Sequence, residues 1–309
     1  FLKSEGTFPK RPELSVNLKS SNGIPIATVT PHDVDQVKNV QIYYSINPHS
    51  LTRFWRRAST AKHGNNWVAH LPILSTNMPL FVMANVEYSL PRPLIGSRYT
   101  GNSPDNFLVS TWEEIIDPPA LMKAGVQAID RPDRMIERSF DDWGDWYQIG
   151  WGNNQHAVAG TRKLTDPKWR GPDGATLSIE VKDSQGGNFL MAFDVNNWGA
   201  YPGLPKSGYY CVKPLKKTED WQTVTIHLSD LKPRSSGIPD RPESWQGITE
   251  LQIAAGLHRL PGEDKTILSG GTWPGQRELR NLQWVGGDYS SSLLYPGGEL
   301  SVQEFQKIF

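Results

Sequence analysis

EDWQTVTIHLSDL, residues 219–231, alternates apolar and polar side chains, with Val224, Ile226 and Leu228 on one side. Period-two alternation marks a strand with one buried face. The same rhythm runs outward from it. ATLSIEVKD (175–183) and NFLMAFDV (188–195) read as two strands joined by a turn at Ser184–Gly187. WYQIGW (146–151), GYYCVKPL (208–215), ITELQIAAGL (248–257) and LRNLQWVGG (279–287) complete the set. About eight strands at this spacing predict a two-sheet jelly roll over residues 135–309.

The segment before it is all-β by the same argument. Strands are expected at Glu13–Lys19, Pro25–Thr30, Val37–Ser45, Trp67–His70 and Leu80–Tyr88. About seven short strands in about 100 residues fit an immunoglobulin-like sandwich, placed at 1–112. Residues 113–134 read as a connector interrupted by Pro118, Pro119, Gly125 and Pro132. Two helices are expected. STWEEII (110–116) is capped by Ser110 or Thr111 and stopped by the two prolines; SVQEFQKIF (301–309) has capping-box spacing from Ser301 to Glu304. The fold class is therefore all-β: an immunoglobulin-like sandwich, a jelly roll, a short connector and a C-terminal helix.

Composition removes several function classes. The 309 residues are 37% hydrophobic, enough for a core. Lys+Arg and Asp+Glu number 32 each, so there is no basic excess for nucleic acid or an anionic membrane. RFWRR at 53–57 reads as arginine stacked on surface aromatics. No apolar run reaches the length of a membrane span. The single cysteine, Cys211, reads as a buried strand thiol. The seven histidines show no metal-ligand spacing. The opening FLKSEG reads as mid-protein sequence, as if a longer chain preceded it.

Nine tryptophans fall between Ser139 and Trp284 with no nucleophile motif among them. Aromatic faces stack on the apolar faces of sugar rings, and loops on a rigid scaffold are where such faces are displayed. Trp221 and Trp284 lie inside alternating strands and read as core; Trp143 and Trp146 are expected to pack as well. NNWGAYPGLPKSGYY (196–210) displays Trp198 and Tyr201, and GGTWPGQRE (270–278) displays Trp273. Asp194, Asn196, Asn197, His258 and Arg259 offer groups for sugar hydroxyls. Each loop tryptophan has the alternative of acting as a lid over the sandwich edge. Glu180, Asp183 and Asp194 leave open a polysaccharide-active enzyme with paired carboxylates on the concave face. Purely structural docking domains are the third alternative. Asp141, Asp142 and Asp145 make an acidic turn of the oxygen type that calcium takes.

SFDDWGDW (139–146), GATLSIEV (174–181), EDWQTVTIHLSDL (219–231), SWQGITELQI (244–253) and LRNLQWV (279–285) resemble the jelly-roll, galactose-binding-like carbohydrate-binding modules. The resemblance implies a polysaccharide or glycan ligand, export to a secreted or periplasmic location, and a structural calcium with Asp141 and Asp142 as ligands. Asn281 stands where that family would place an acidic calcium ligand. IYYSINPHSLTRFWRRA (42–58), WVAHLPI (67–73) and PLFVMANVEY (79–88) resemble the β-domain that follows the α/β-hydrolase unit in PhoPQ-activated pathogenicity-related proteins. FLKSEGTFPKRPELSV (1–16) resembles the end of that unit. A catalytic α/β-hydrolase domain is then an implied N-terminal partner. The hydrolase motif Gly-x-Ser-x-Gly is absent from this sequence, so its activity does not carry over.

Overall fold

The computed structural model describes residues 9–90, 93, 105–149, 158–201, 203–259, 262, 266–269 and 277–289. They form two compact units, Phe1–Pro48 with Trp55–Asp130, and His49–Phe54 with Arg131–Phe309.

The first unit is a two-sheet antiparallel sandwich. One sheet has the order β1 (Glu13–Asn17), β2 (Ile26–Thr30), β6 (Asn66–His70), β5 (Thr60–His63). The other has β4 (Arg56–Arg57), β3 (Val37–Ser45), β7 (Leu80–Ser89) and β8 (Asn106–Ser110), with β9 (Glu114–Ile116) also on β7. Alternate residues of β3 and β7, such as Ile42, Ala84, Val86 and Tyr88, are wholly buried. The helix expected at 110–116 is instead the end of β8, three residues without regular structure, and β9. The helix is α1 (Pro118–Lys123). Its prolines start it, because a proline at the first turn has no amide to leave unpaired. Asp117 caps it, accepting from the amide of Ala120 at 2.8 Å.

The second unit is also a two-sheet antiparallel sandwich, as the strand count predicts. A four-stranded sheet runs β10 (Met135–Ser139), β21 (Arg277–Val285), β13 (Thr176–Asp183), β16 (Thr218–Ile226). A six-stranded sheet runs β11 (Tyr147–Ile149), β12 (Val158–Thr161), β18 (Ile248–Ala254), β14 (Gly187–Val195), β15 (Ser207–Leu215), β17 (Lys232–Pro233). A hairpin, β19 (Gly256–Arg259) and β20 (Thr266–Ser269), follows β18. Leu177, Ile179 and Trp284 from one sheet meet Met191, Phe193 and Leu251 from the other. Cys211 is buried there, and burial pushes its thiol up to about 11.

Trp284 is core, with its indole N–H donating to the carbonyl of Trp169 at 2.9 Å. Trp146 is buried with Phe140, and Trp143 packs beside it. Trp221 is not core: Val224 and Ile226 point inward, so strand parity turns Trp221 out, under the Arg280 guanidinium 4.0 Å above its ring. Asn281 takes a left-handed backbone (φ 52°) where β21 bulges against β13, and its amide donates to Glu180. An asparagine tolerates that conformation. The C-terminal helix expected at 301–309 lies outside the described residues.

Candidate functional site

The outward face of the six-stranded sheet carries the site. Met191 and Phe193 of β14 point into the core, so Leu190, Ala192 and Asp194 point out. On β18, Leu251 and Ile253 point in, and Glu250, Gln252 and Ala254 point out. The register sets Asp194 opposite Glu250, Ala192 opposite Gln252 and Leu190 opposite Ala254. β15 adds Gly208, Tyr210 and Val212 to these rows, and β12 adds Gly160 and Val158. The face grades from a charged row, through an amide and aromatic row, to an aliphatic row. Leu257 and Leu268 of the hairpin pack on the aliphatic row.

Two glycines let long side chains lie flat across this floor. A Cβ at Gly160 would stand 2.5 Å from Cζ of Tyr147, and one at Gly208 would stand 2.6 Å from Nη2 of Arg234. Across Gly160, the Tyr147 phenol donates to Oε1 of Glu250 and accepts from Nε2 of Gln252 at 3.3 Å. Across Gly208, Arg234 pairs with Asp194. Nε2 of Gln252 also donates to Glu250 at 2.6 Å and reaches Asp194 at 3.5 Å. Oε2 of Glu250 accepts from Asn197 Nδ2 at 3.0 Å and from Arg162 Nε at 3.5 Å. Asp194, Glu250 and Gln252 are only 9, 4 and 7% exposed. Burial pushes the Asp194 carboxyl above the usual carboxylate range, against the pull of Arg234. Burial, and then the charge of Glu250, push the Tyr147 phenol up, so it stays protonated and donates.

Trp198 stands at the charged end of this face and is 53% exposed. Its backbone is left-handed (φ 64°, ψ 9°), as is that of Asn196 (φ 49°). A bulky side chain rarely adopts that region, and the strain persists only where surroundings impose it. Here hydrogen bonds of Asn196 and Asn197 brace the loop. Asn196 accepts from the Tyr201 amide at 2.7 Å and donates to the carbonyls of Tyr201 and Leu204. The Asn197 amide donates to Oγ1 of Thr249 at 2.9 Å, and that hydroxyl donates to the Asp194 carbonyl. Arg162 and Lys206 lie 5.8 and 5.9 Å from the Trp198 ring centre.

The residues expected from sequence divide accordingly. Trp198, Asp194 and Asn197 meet on this face. Tyr201 is a correction: it is 2% exposed, with its hydroxyl accepting from Arg170 at 3.2 Å. Asn196 is buried too, and its amide braces the loop instead of facing a ligand. Trp273 and the side chains of His258 and Arg259 lie outside the described residues. Glu180 and Asp183 belong to the opposite sheet, where each pairs with an arginine, Arg280 and Arg277. They do not pair with Asp194. Asp141 and Asp142 serve their own turn, through Ser139 and the Gly144 amide. Among the described residues no three His, Cys, Asp or Glu side chains converge as a metal site.

Sequence reasoning missed Tyr147, Arg162, Lys206, Arg234, Glu250 and Gln252. A signal was present for two of them: in ITELQIA the polar residues Glu250 and Gln252 alternate with Leu251 and Ile253. Two further clefts, of about 630 and 410 Å³, flank Arg241–Glu243 and include none of these residues. Among the described residues no helix is long and apolar enough to cross a membrane.

No protein-family profile matches the chain, and no curated protein matches it. Among solved structures it is similar to a carbohydrate-binding module of the β-sandwich superfamily, solved to explain promiscuous specificity. That likeness has 10% identity and a TM-score of 0.24, over 91% of this chain and 99% of the other. It is also similar to the family 11 carbohydrate-binding module of a cellulosomal cellulase of Clostridium thermocellum, at 8% identity and a TM-score of 0.25, over 89% of this chain and 95% of the other.

Proposed function

We propose that the second unit binds a glycan along the outward face of its six-stranded sheet, with Trp198 as the stacking platform. The observation that carries this is Trp198 itself: a large exposed ring held in a costly backbone conformation by a loop hydrogen-bonded through Asn196 and Asn197. A core tryptophan needs no such device. The floor beside it is a rigid polar network, and the hairpin supplies an aliphatic wall. This is the mixture of apolar surface and a few fixed polar groups that sugar rings require. Its role is that of an accessory region of an exported hydrolase-like protein, a context supported by the sequence resemblance alone.

The test is Trp198→Ala, with retention on polysaccharide gels and thermal unfolding measured together. Binding should be lost while the melting temperature stays within about 2 °C, as for a surface change. Unfolding of the variant, or undiminished retention on every gel that retains the parent, removes the reading.

One observation favours a second reading, catalysis. Asp194 and Glu250 are register partners on adjacent strands. Nε2 of Gln252 reaches an oxygen of each, at 2.6 Å for Glu250 and 3.5 Å for Asp194, so the two carboxyl groups lie within about 6 Å of each other, close to the spacing of a retaining glycosidase pair. Yet both carboxylates are held by arginine and amide donors and lie under the surface. Binding therefore ranks first. Release of reducing sugar that is abolished by both Asp194→Asn and Glu250→Gln would reverse the order.

A further inference from the structure

Neutral sugars are ordinarily held by carboxylates and amides that accept from ring hydroxyls, with cations donating in return. On this face the acceptors are already used. Glu250 takes hydrogen bonds from Tyr147, Gln252, Asn197 and Arg162. Asp194 takes them from Arg234 and Gln252. Oε1 of Gln252 has no partner among the described residues, and it is buried. What remains toward solvent is cationic. Arg162 is about one-third exposed, its side-chain relative exposure being 35%. Lys206 is exposed, and its charge acts on Asp194, whose hydrogen-bonded ion pair is with Arg234. Both stand beside the Trp198 ring. The three cations Arg162, Lys206 and Arg234 outnumber the two carboxylates Asp194 and Glu250. This local surplus sits on a chain whose net charge is zero, so it is not the edge of a general basic surface.

Resting on the glycan reading above, we infer that the ligand is an acidic glycan, its carboxylate or sulfate held by Lys206 and Arg162 while the ring carrying it stacks on Trp198. A charged ligand group gives bidentate or charge-assisted hydrogen bonds to such donors, which a hydroxyl cannot match. The attraction is partly exposed and therefore weakens with salt.

The experiment is affinity electrophoresis and titration calorimetry of the full chain with four probes. These are polygalacturonate, the same polymer fully methyl-esterified, dextran sulfate and unmodified dextran. Polygalacturonate or dextran sulfate should bind, and which one does separates the carboxylate from the sulfate source. The esterified and unmodified polymers should bind at least about tenfold more weakly, the loss expected for one charged contact. Lys206→Gln should lower affinity for the acidic probe about five- to tenfold, with unchanged binding to the neutral ones and an unchanged melting temperature. Raising the salt should narrow the gap between parent and variant. Equal binding of the charged and neutral forms overturns the inference and leaves the glycan reading standing. Retention by dextran sulfate that ignores both Lys206→Gln and Trp198→Ala is non-specific and overturns it too. Failure of all four probes, and of neutral β-glucan and xylan, removes the glycan reading itself.

Discussion

Gly160→Ala should cost far more than an added methyl on a strand normally does. A Cβ there would lie 2.5 Å from Cζ and 3.0 Å from Cε1 of Tyr147. The strand cannot retreat, because Gly160 is fixed between Tyr147 of β11 and Gln252 of β18. The ring must lift instead. Lifting it breaks the hydrogen bond to the Glu250 carboxylate and the one from Gln252. A bond to a charged group is worth about 1.5–3 kcal/mol and a neutral one about 0.5–1.5 kcal/mol. Against this, alanine gains roughly 0.5–1 kcal/mol from the stiffer unfolded chain. The net expectation is a loss of about 2–3 kcal/mol, or about 4–12 °C in the unfolding of this unit. The assay is urea unfolding of the parent, Gly160→Ala, Tyr147→Ala and the double variant. If the methyl acts by displacing the phenol, Gly160→Ala should be neutral or slightly stabilising once Tyr147 is alanine. The coupling energy should then be about 2 kcal/mol. A loss below about 0.5 kcal/mol in the parent, or an equal loss in both backgrounds, refutes the argument that Gly160 exists to seat Tyr147.

Asp194→Asn should change the pH profile of stability. The folded carboxyl is raised by burial, so its unfavourable ionisation is absent below about pH 4 and grows as pH rises through the folded value; the parent should lose stability relative to the asparagine variant across that window in paired melts, and parallel profiles would refute it. Asp183 behaves oppositely: burial raises its carboxyl, but the amides of Gln185 and Gly186 and the Arg277 guanidinium outweigh this and hold it low. Its contribution is present at neutral pH and lost on acidification through the folded value. Asp183→Ala, which strands a buried arginine, should cost about 3–5 kcal/mol by urea unfolding; a loss under 1 kcal/mol contradicts the pairing. Trp245→Ala should cost about 3–5 kcal/mol, since this ring is 0% exposed and its indole N–H donates to the Ala175 carbonyl at 2.6 Å. Trp198→Ala, measured beside it, should be within about 0.5 kcal/mol of the parent.

The fold was legible because the core is written in period two. Strands β3, β13, β14, β16 and β18 each bury alternate apolar residues, and each stands where the alternation puts it. The errors were local. The proline pair, a helix stop by spacing, is a helix start because Asp117 before it caps the first turn. Trp221 was read as core although its own strand parity places it with Thr223 and Thr225 on the outer side. The site was far less legible. Asp194 and Glu250 are 56 residues apart and meet only because β18, not a sequence neighbour, pairs with β14. Tyr147 and Arg234 come from outside the central strands, and their reach depends on glycines at 160 and 208, residues that read from sequence as ordinary turn or strand-weakening positions. Tyr201 and Trp198 look alike in the sequence of their loop. Only the hydrogen bonds of Asn196 and Arg170 decide which ring is inside.

That loop also explains why the floor and the platform separate as functions. Apart from Oε1 of Gln252 and Nε of Arg234, the buried side-chain polar groups of the floor are satisfied by the chain itself, so the floor is ordered before any ligand arrives. A ligand then need not meet the entropy of fixing those side chains. The same saturation limits what the floor can offer, because a carboxylate already holding four donors adds little to a fifth. On the proposed reading, recognition falls to the groups at its end: one strained tryptophan and the cations beside it. Substitutions in the floor, Arg162 included because it donates to Glu250 and to the Leu51 carbonyl, should read out as stability first and binding second, while those at Trp198 and Lys206 should read out as binding with stability nearly untouched. An alanine scan of the face scored for both properties would find them on separate residues if this division is real, and on the same residues if it is not.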